Sequence, residues 1–354
     1  MTYYIKQGDI FKPSSEASLD IRNELPVGNY TIGKDMYDNF FFQTVDSFTL
    51  PNKRYGDNTK YSERIFNTFV KRENATGVLL TGEKGSGKSL LAKCLSSKAA
   101  ENNIPTIIIN APWHGDGFNN LIQSIQQPCV ILFDEFEKVY DSQQQEAVLT
   151  LLDGTFPSKK LFVLTCNDQW RIDSNMRNRP GRIFYSIEFK GLSVEFIKEY
   201  CEDKLENKTH IETLCKVSTL YEQFNFDMLQ GIVEDMNRYD ESPQEALQLL
   251  NAKPEYSNKM SFTCAMSLNG RWLEQKEFYS NGWQGNPLSS RKSIEYLRVD
   301  EDGDEFWDNY EQFEHNDLIN VDATAGTFTF KNNNGNVLIL TKKTYAKHNF
   351  FDAF

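Results

Sequence analysis

From residue 77 the chain alternates between short apolar runs and stretches with helical spacing. Val78 to Thr81, Thr106 to Ile109, Cys129 to Phe133, Leu161 to Thr165 and Phe184 to Phe189 are rich in β-branched or aromatic residues. Runs apolar at nearly every position fit strands buried on both faces of a parallel sheet. The helix after the third run is the clearest. Ser142 and Gln145 predict a capping box, Ala147, Val148, Leu151 and Leu152 an apolar face, and Gly154 a stop. Before the first run, residues 60–72 predict a helix with Ile65, Phe69 and Val70 on one side.

The pattern changes on either side of this α/β stretch. Residues 1–56 hold β-like runs (Tyr3 to Lys6, Tyr30 to Ile32, Phe40 to Leu50) broken by Pro and Gly, and read as a small β-rich N-terminal element. Residues 192–254 read as helices alone, with Met228, Leu229, Ile232, Val233 and Met236 at helical spacing and a capping box over Ser242-Pro243-Gln244-Glu245. After a polar stretch around Pro254, residues 255–354 read as a β-rich domain. Its strands are expected at Ser261 to Met266, Ser293 to Val299, Thr327 to Lys331 and Val337 to Lys342, with an acidic turn at Asp300 to Glu305 and a hairpin turn at Asn332 to Asn336. Trp272, Trp283 and Trp307 there read as core or as a partner-docking surface. With residues 57–191 as the α/β part, this gives four regions in 354 residues.

Composition narrows the class. The 39% hydrophobic and 13% aromatic content supplies enough apolar mass for real cores. No run is long enough for a membrane-spanning helix. Met1 to Phe11 lacks a basic segment followed by an apolar core, which argues against a secretory signal. The six cysteines are scattered without a CxxC pair, which points to buried thiols in a reducing cytoplasm. A net charge of -12 argues against a broad nucleic-acid surface, and Lys84, Lys159, Lys160 and Lys190 form no stripe.

Candidate chemistry begins at Gly82-Glu83-Lys84-Gly85-Ser86-Gly87-Lys88-Ser89, with Leu90 opening the helix behind it. This fits G-x-x-x-x-G-K-[ST] between a strand and a helix. Backbone N–H groups and a helix N-terminus meet phosphate oxygens, the lysine bridges the β- and γ-phosphates of ATP, and the serine hydroxyl ligates Mg²⁺. Cys129 to Phe133 then ends in Asp134 and Glu135. In this context Asp134 supports the metal and Glu135 polarises the attacking water. Asn167 tips the fourth run, where it can reach the γ-phosphate or the water. Arg177-Asn178-Arg179-Pro180-Gly181-Arg182 has a role only if a phosphate lies within reach, as a neighbouring subunit's would in a ring.

In order and spacing, these parts resemble the AAA branch of the AAA+ ATPases over about residues 50–250. Leu151-Leu152-Asp153-Gly154 and Arg179-Pro180-Gly181-Arg182 resemble two further segments of that branch. Within it the core is most similar to the group holding the mitochondrial Rieske-protein translocase and many phage-encoded ATPases. The resemblance implies a five-stranded parallel sheet, a small helical lid and a homo-oligomeric ring, usually a hexamer, with ATP between subunits. It implies Asn167 as the first sensor and Arg179 and Arg182 as arginine fingers acting in trans, with Arg177 outside the match. In similar proteins the loop matching Asn110 to Asn119 faces the central pore, so the resemblance implies a pore segment at Trp113 and His114, the other reading being that Trp113 packs against the core; His stands where an aliphatic residue is usual. Glu83 and Lys84 replace two prolines common in the family, and Phe226 to Met236 carries no second-sensor arginine.

The function this implies is a ring ATPase that remodels or translocates a protein. The alternatives are a DNA-associated clamp or helicase loader and an ATP-assembled scaffold with docking β domains. The phage-like core suggests a viral origin, hence a host cytoplasm.

Overall fold

The five apolar runs lie together in one sheet. The computed structural model describes residues 2–7, 9–15, 20, 22–152, 159–176, 179–189, 191–221, 224–252, 260–278, 280, 282–288, 290–299 and 305–343, and the chain divides into two units, Met1–Phe189 and Lys190–Phe354. The first unit opens with an antiparallel ribbon of β1 (Thr2–Gln7) and β2 (Ile10–Ser15). Next come β3 (Asn29–Lys34), β4 (Phe40–Val45) and α1 (Asn58–Lys71). The alternating part follows: β5 (Thr76–Gly82), α2 (Lys88–Glu101), β6 (Thr106–Ile109) and α3 (Asp116–Ser124). It continues with β7 (Cys129–Phe133), α4 (Phe136–Val139), α5 (Ser142–Leu152), β8 (Lys160–Cys166) and β9 (Ile183–Phe189).

The sheet has seven strands rather than five, in the order β4-β3-β6-β7-β8-β5-β9. All neighbours pair in parallel except β4, which runs antiparallel to β3 at the edge. The extra pair comes from the N-terminal stretch, which extends the sheet instead of standing apart. Tyr30 and Ile32 alternate inward while Asn29 to Thr31 pair with Thr106 to Ile108. Every residue of β7 and β8 is buried, as expected of central strands covered on both faces. One face packs Phe118, Phe136, Val148 and Leu152, and the other packs Ile65, Phe69, Leu91 and Leu95.

Two helix details differ from the sequence reading. On α1 it is Phe66 that joins Ile65 and Phe69 in the core, while Val70 is exposed, one step too far round the helix. At the start of α5 the reciprocal cap is made by Asp141 and Gln144: Gln144 N donates to Asp141 Oδ1 at 2.9 Å and Asp141 N to Gln144 Oε1 at 3.0 Å. Gln145 is buried and donates instead to the carbonyls of Tyr140 and Arg171. Asp153 and Gly154 lie outside the described residues.

The second unit begins with α6 (Val194–Lys204), α7 (Ile211–Ser218), α8 (Phe226–Tyr239) and α9 (Pro243–Leu249). Both halves of the Ser242–Glu245 capping box are present, with Pro243 in the first turn. Then come β10 (Ser261–Leu268), β11 (Arg271–Trp272), β12 (Gly282–Gln284), β13 (Lys292–Val299), β14 (Glu305–Phe313), β15 (Leu318–Asp322), β16 (Thr327–Lys331) and β17 (Val337–Lys342). β10, β11, β12, β15, β16 and β17 share an antiparallel sheet, and β13 and β14 form a ribbon. Phe262, Phe313, Phe328, Phe330, Leu338 and Leu340 are fully buried among them. Of the three tryptophans, only Trp283 packs on this core; Trp272 and Trp307 are exposed, so they do not build it. Asn332 and Asn336 close the hairpin turn, and the expected acidic turn at 300–304 lies outside the described residues.

Among the described residues no helix is long and apolar enough to cross a membrane. All six cysteines are free thiols, five of them buried.

Candidate functional site

The parallel strands carry their C-terminal ends to one edge of the sheet, where ligands of open α/β folds bind. β5 runs into the glycine-rich loop, β7 into Asp134 and Glu135, and β8 into Asn167. The strand order sets β8 between β5 and β7, so the three tips are consecutive.

Local geometry explains the glycines. Gly87 has φ 102° and caps α2 in the left-handed region that a side chain disfavours. A Cβ on Gly82 would lie 2.2 Å from the carbonyl oxygen of Phe189 at the end of β9. The loop therefore sits directly against its neighbouring strand. Lys88, the first residue of α2, is buried, and its Nζ donates to the carbonyls of Gly82 at 2.5 Å and Glu83 at 2.6 Å. Burial lowers its pKa, while Cys166, Glu137, Asp134 and Glu135 act in the opposite sense. The ammonium thus lies in the field of the three acids that follow β7. Glu83 and Lys84 are exposed; Gly85 and Ser86 are partly buried, as is Leu90; Ser89 is exposed at the start of α2.

Asp134 and Glu135 are held by a residue that the local pattern does not flag. Thr165 Oγ1 donates to Asp134 Oδ1 at 2.6 Å and accepts from the backbone N–H of Glu135 at 2.9 Å. Glu135 has φ 48° and ψ 46°, an uncommon conformation for a residue with a side chain. Such outliers gather at functional sites. Its carboxylate accepts from Lys138 Nζ at 2.6 Å and lies 4.0 Å from Lys84 Nζ. The hydrogen bond from Lys138, helped by the charges of Lys138 and Lys84 and by the nearby Asn167 amide, holds its pKa below the ordinary carboxylate value. Asn167 donates both its backbone N–H and its Nδ2 to Glu137 Oε1, at 2.9 and 3.0 Å. Thr165, Glu137 and Lys138 are therefore site residues that sequence reasoning passed over. Their signal was the β7–β8 adjacency, which sets Thr165 beside Asp134, and the short α4, which brings the next acid and base back over the strand tips.

The oxygen donors here suit Mg²⁺. That ion keeps several waters and takes one or two protein ligands plus substrate phosphates, so a hydroxyl at Ser89 and a carboxylate at Asp134 are an adequate set. Among the described residues no cluster of three or more His, Cys, Asp or Glu could hold a metal alone.

The arginine turn follows β8. Arg179 is exposed, and its carbonyl accepts from the N–H groups of Arg182 and Ile183. Arg182 is half-buried and donates Nη1 to the carbonyl of Asn175 at 2.7 Å. Arg177 lies outside the described residues.

The expected pore residues divide. Trp113 is half-buried, packed edge-on against Phe40 at 5.5 Å with its indole Nε1 out of solvent, while His114 beside it is exposed. Lys160, one of the lysines weighed for nucleic acid, is fully buried and donates to the carbonyl of Ile125.

Comparison with known proteins agrees with this geometry. Residues 78–190 match the model of the ATPase family associated with various cellular activities (AAA). The chain is 29% identical over 183 residues to the peroxisomal ATPase pex1 of Schizosaccharomyces pombe, covering 45% of this chain and 19% of that protein. It is 29% identical over 171 residues to a cell division cycle protein 48 homolog of Archaeoglobus fulgidus, covering 41% and 23%. To fidgetin-like protein 1 of Caenorhabditis elegans it is 30% identical over 130 residues, covering 31% and 22%. The matches thus span less than a quarter of each relative. Glycine loop, acidic strand end and family match fall on the same residues, and the chain carries an AAA ATPase domain.

Proposed function

We propose that this chain is a Mg²⁺-dependent ATPase that works as a homo-oligomeric ring and couples ATP turnover to remodelling or translocation of a protein substrate. The observation that carries this reading is the convergence of Lys88, Asp134, Glu135 and Asn167 at three adjacent strand tips, with Glu135 and Asn167 each held in place by a neighbour. Phosphates of ATP are bound by the loop N–H groups and Lys88. Ser89 and Asp134 would hold the Mg²⁺ ion, which neutralises charge on the phosphates. Glu135 orients and polarises the attacking water, and Asn167 steadies the water or the γ-phosphate by a side-chain N–H.

The ring part of the reading rests on the exposed turn at Arg179. An exposed arginine there is free to face a neighbouring copy, and in a ring it would meet the phosphates bound by the next subunit. The helices α6 to α9 serve as the lid of the domain in this reading, and the β-rich region beyond them serves to engage partners. The names of the relatives support the ATPase class, and the mechanical role extends it to this chain.

The test is steady-state phosphate release with Mg²⁺-ATP, alone and with an unfolded protein or single-stranded DNA. Turnover that rises with unfolded protein and vanishes in Glu135→Gln, while a fluorescent ATP analogue still binds, supports the reading. Turnover stimulated by DNA alone, or unchanged in Glu135→Gln, overturns it.

A further inference from the structure

Glu137 is a third carboxylate beyond β7, and the roles given above leave it unused. It sits in α4, only 9% exposed. Its Oε1 accepts both N–H bonds from Asn167. Its Oε2 is buried and accepts no hydrogen bond among the described residues. A buried carboxylate with one oxygen unsatisfied is a costly way to tie down a loop, since a carbonyl would accept the same bonds at lower desolvation cost.

What a carboxylate does that an amide cannot is accept only. The two ends of an asparagine amide have nearly the same shape but opposite hydrogen-bonding character. Facing a group that can only accept, Asn167 must turn Nδ2 towards Glu137 and Oδ1 away. One N–H of Nδ2 is then spent on Glu137. The second is not used by Glu137, and Asn167 lies close enough to Glu135 for its amide to help stabilise that carboxylate. We propose that Glu137 is a positioning residue that fixes the orientation of the Asn167 amide, so that its second N–H is presented to the attacking water or γ-phosphate beside Glu135. The inference rests on the ATPase reading of this site. Glu137 acts through Asn167 and touches no reacting atom.

The experiment compares Glu137→Met, which keeps the length but not the acceptor, with Glu137→Gln, which keeps an acceptor but can present either end. Turnover and the affinity of a fluorescent ATP analogue are measured on the full chain. Glu137→Met is expected to lose about 10- to 100-fold in kcat, the scale of a misplaced catalytic group, with affinity within about threefold of wild type. Glu137→Gln is expected to fall between Glu137→Met and wild type. In the background of Asn167→Ala, Glu137→Met should cost nothing further, because its effect passes through the missing amide.

Unchanged turnover in Glu137→Met, multiplicative losses in the double variant, or affinity falling in parallel with turnover would each overturn the proposal. Should Glu137→Met not fold, Glu137→Gln decides, and turnover equal to wild type then overturns it. A wild-type chain that hydrolyses ATP while these variants behave like it removes this inference alone. A wild-type chain without turnover removes the ATPase reading and this inference with it.

Discussion

Thr165 on β8 donates its hydroxyl to Asp134 at the end of β7 at 2.6 Å, and the same oxygen accepts the N–H of Glu135. One side chain thus fixes the direction of the Asp134 carboxylate and holds Glu135 in its left-handed conformation. Thr165→Val keeps the shape and removes both bonds, leaving a part-buried N–H without its partner at a cost of about 1 kcal/mol. Turnover is expected to fall about tenfold, and Thr165→Ser, which keeps the hydroxyl, to recover most of it. Phosphate-release rates for the two variants, compared at matched nucleotide saturation, check this.

Gly77 in β5 carries a different constraint. A Cβ there would lie 2.0 Å from the carbonyl oxygen of Arg182, where β9 begins against β5. The obstacle is backbone, so it cannot swing aside as a flexible side chain would. Gly77→Ala must push the start of β9 away and carry the Arg179–Arg182 turn with it. The expected cost is about 1–3 kcal/mol, typical of overpacking, seen as a lowered melting temperature. Hydrolysis should fall more than ATP-analogue binding does, since the glycine loop lies at the other end of the strand.

Much of this was readable along the chain because the central strands are buried on both faces. β7 and β8 show it as unbroken apolar runs, and the glycine loop follows such a run directly. β14 was not readable: in Glu305 to Phe313 only Phe313 is fully buried among the residues whose side chains are described, and the strand exists through its pairing with β13. By sequence β3 belongs with the N-terminal stretch, because nothing local says that Asn29 will pair with Thr106, far along the chain. Thr165 and Glu137 were passed over for the same reason. Their roles arise from which strand tips become neighbours, and a single sequence shows the tips without the neighbours. The capping box of α5 slipped by one residue because Asp141-Ser142 offers two caps in a row, and the fold chose the one that lets Gln145 turn inward.

The exposed Arg179 and the buried Lys88 define a mixing experiment. If the arginine serves the next subunit, Arg179→Ala and Lys88→Ala damage opposite sides of one interface. Each variant alone is expected to lose turnover by about 10³-fold or more, as for other arginines that meet transferring phosphates in trans. A mixture of the two should regain a fraction of wild-type turnover, because some interfaces then pair an intact Lys88 with an intact Arg179. Arg182→Ala should be milder, since that side chain is engaged with the Asn175 carbonyl of its own chain. No recovery at any mixing ratio, with oligomers present by mass measurement, would count against trans action.

In the second unit, Lys292 at the start of β13 is fully buried, and its Nζ lies 4.2 Å from the centre of the Phe330 ring without a hydrogen-bond partner among the described residues. Burial pulls its pKa down to about 8 from an ordinary 10.5, partly resisted by the negative charges of Asp317 and Glu314, the latter also paired with Arg291. Between these two values the unfolded chain holds the proton more tightly than the folded one does. The lysine therefore costs stability in full below about pH 8, and the cost fades as pH rises towards 10.5. At one pKa unit per 1.36 kcal/mol the full cost is about 3 kcal/mol. Lys292→Met, similar in length and uncharged, should therefore be more stable than wild type at pH 7 by up to that amount. The gap should narrow towards zero by about pH 10. Buried thiols such as Cys264, pushed up to about 12, destabilise both chains alike at high pH, so the difference between them isolates the lysine. Urea unfolding of the two proteins at pH 7 and pH 10 measures it directly. A gap that stays constant with pH would mean that Lys292 keeps an ordinary pKa in the fold.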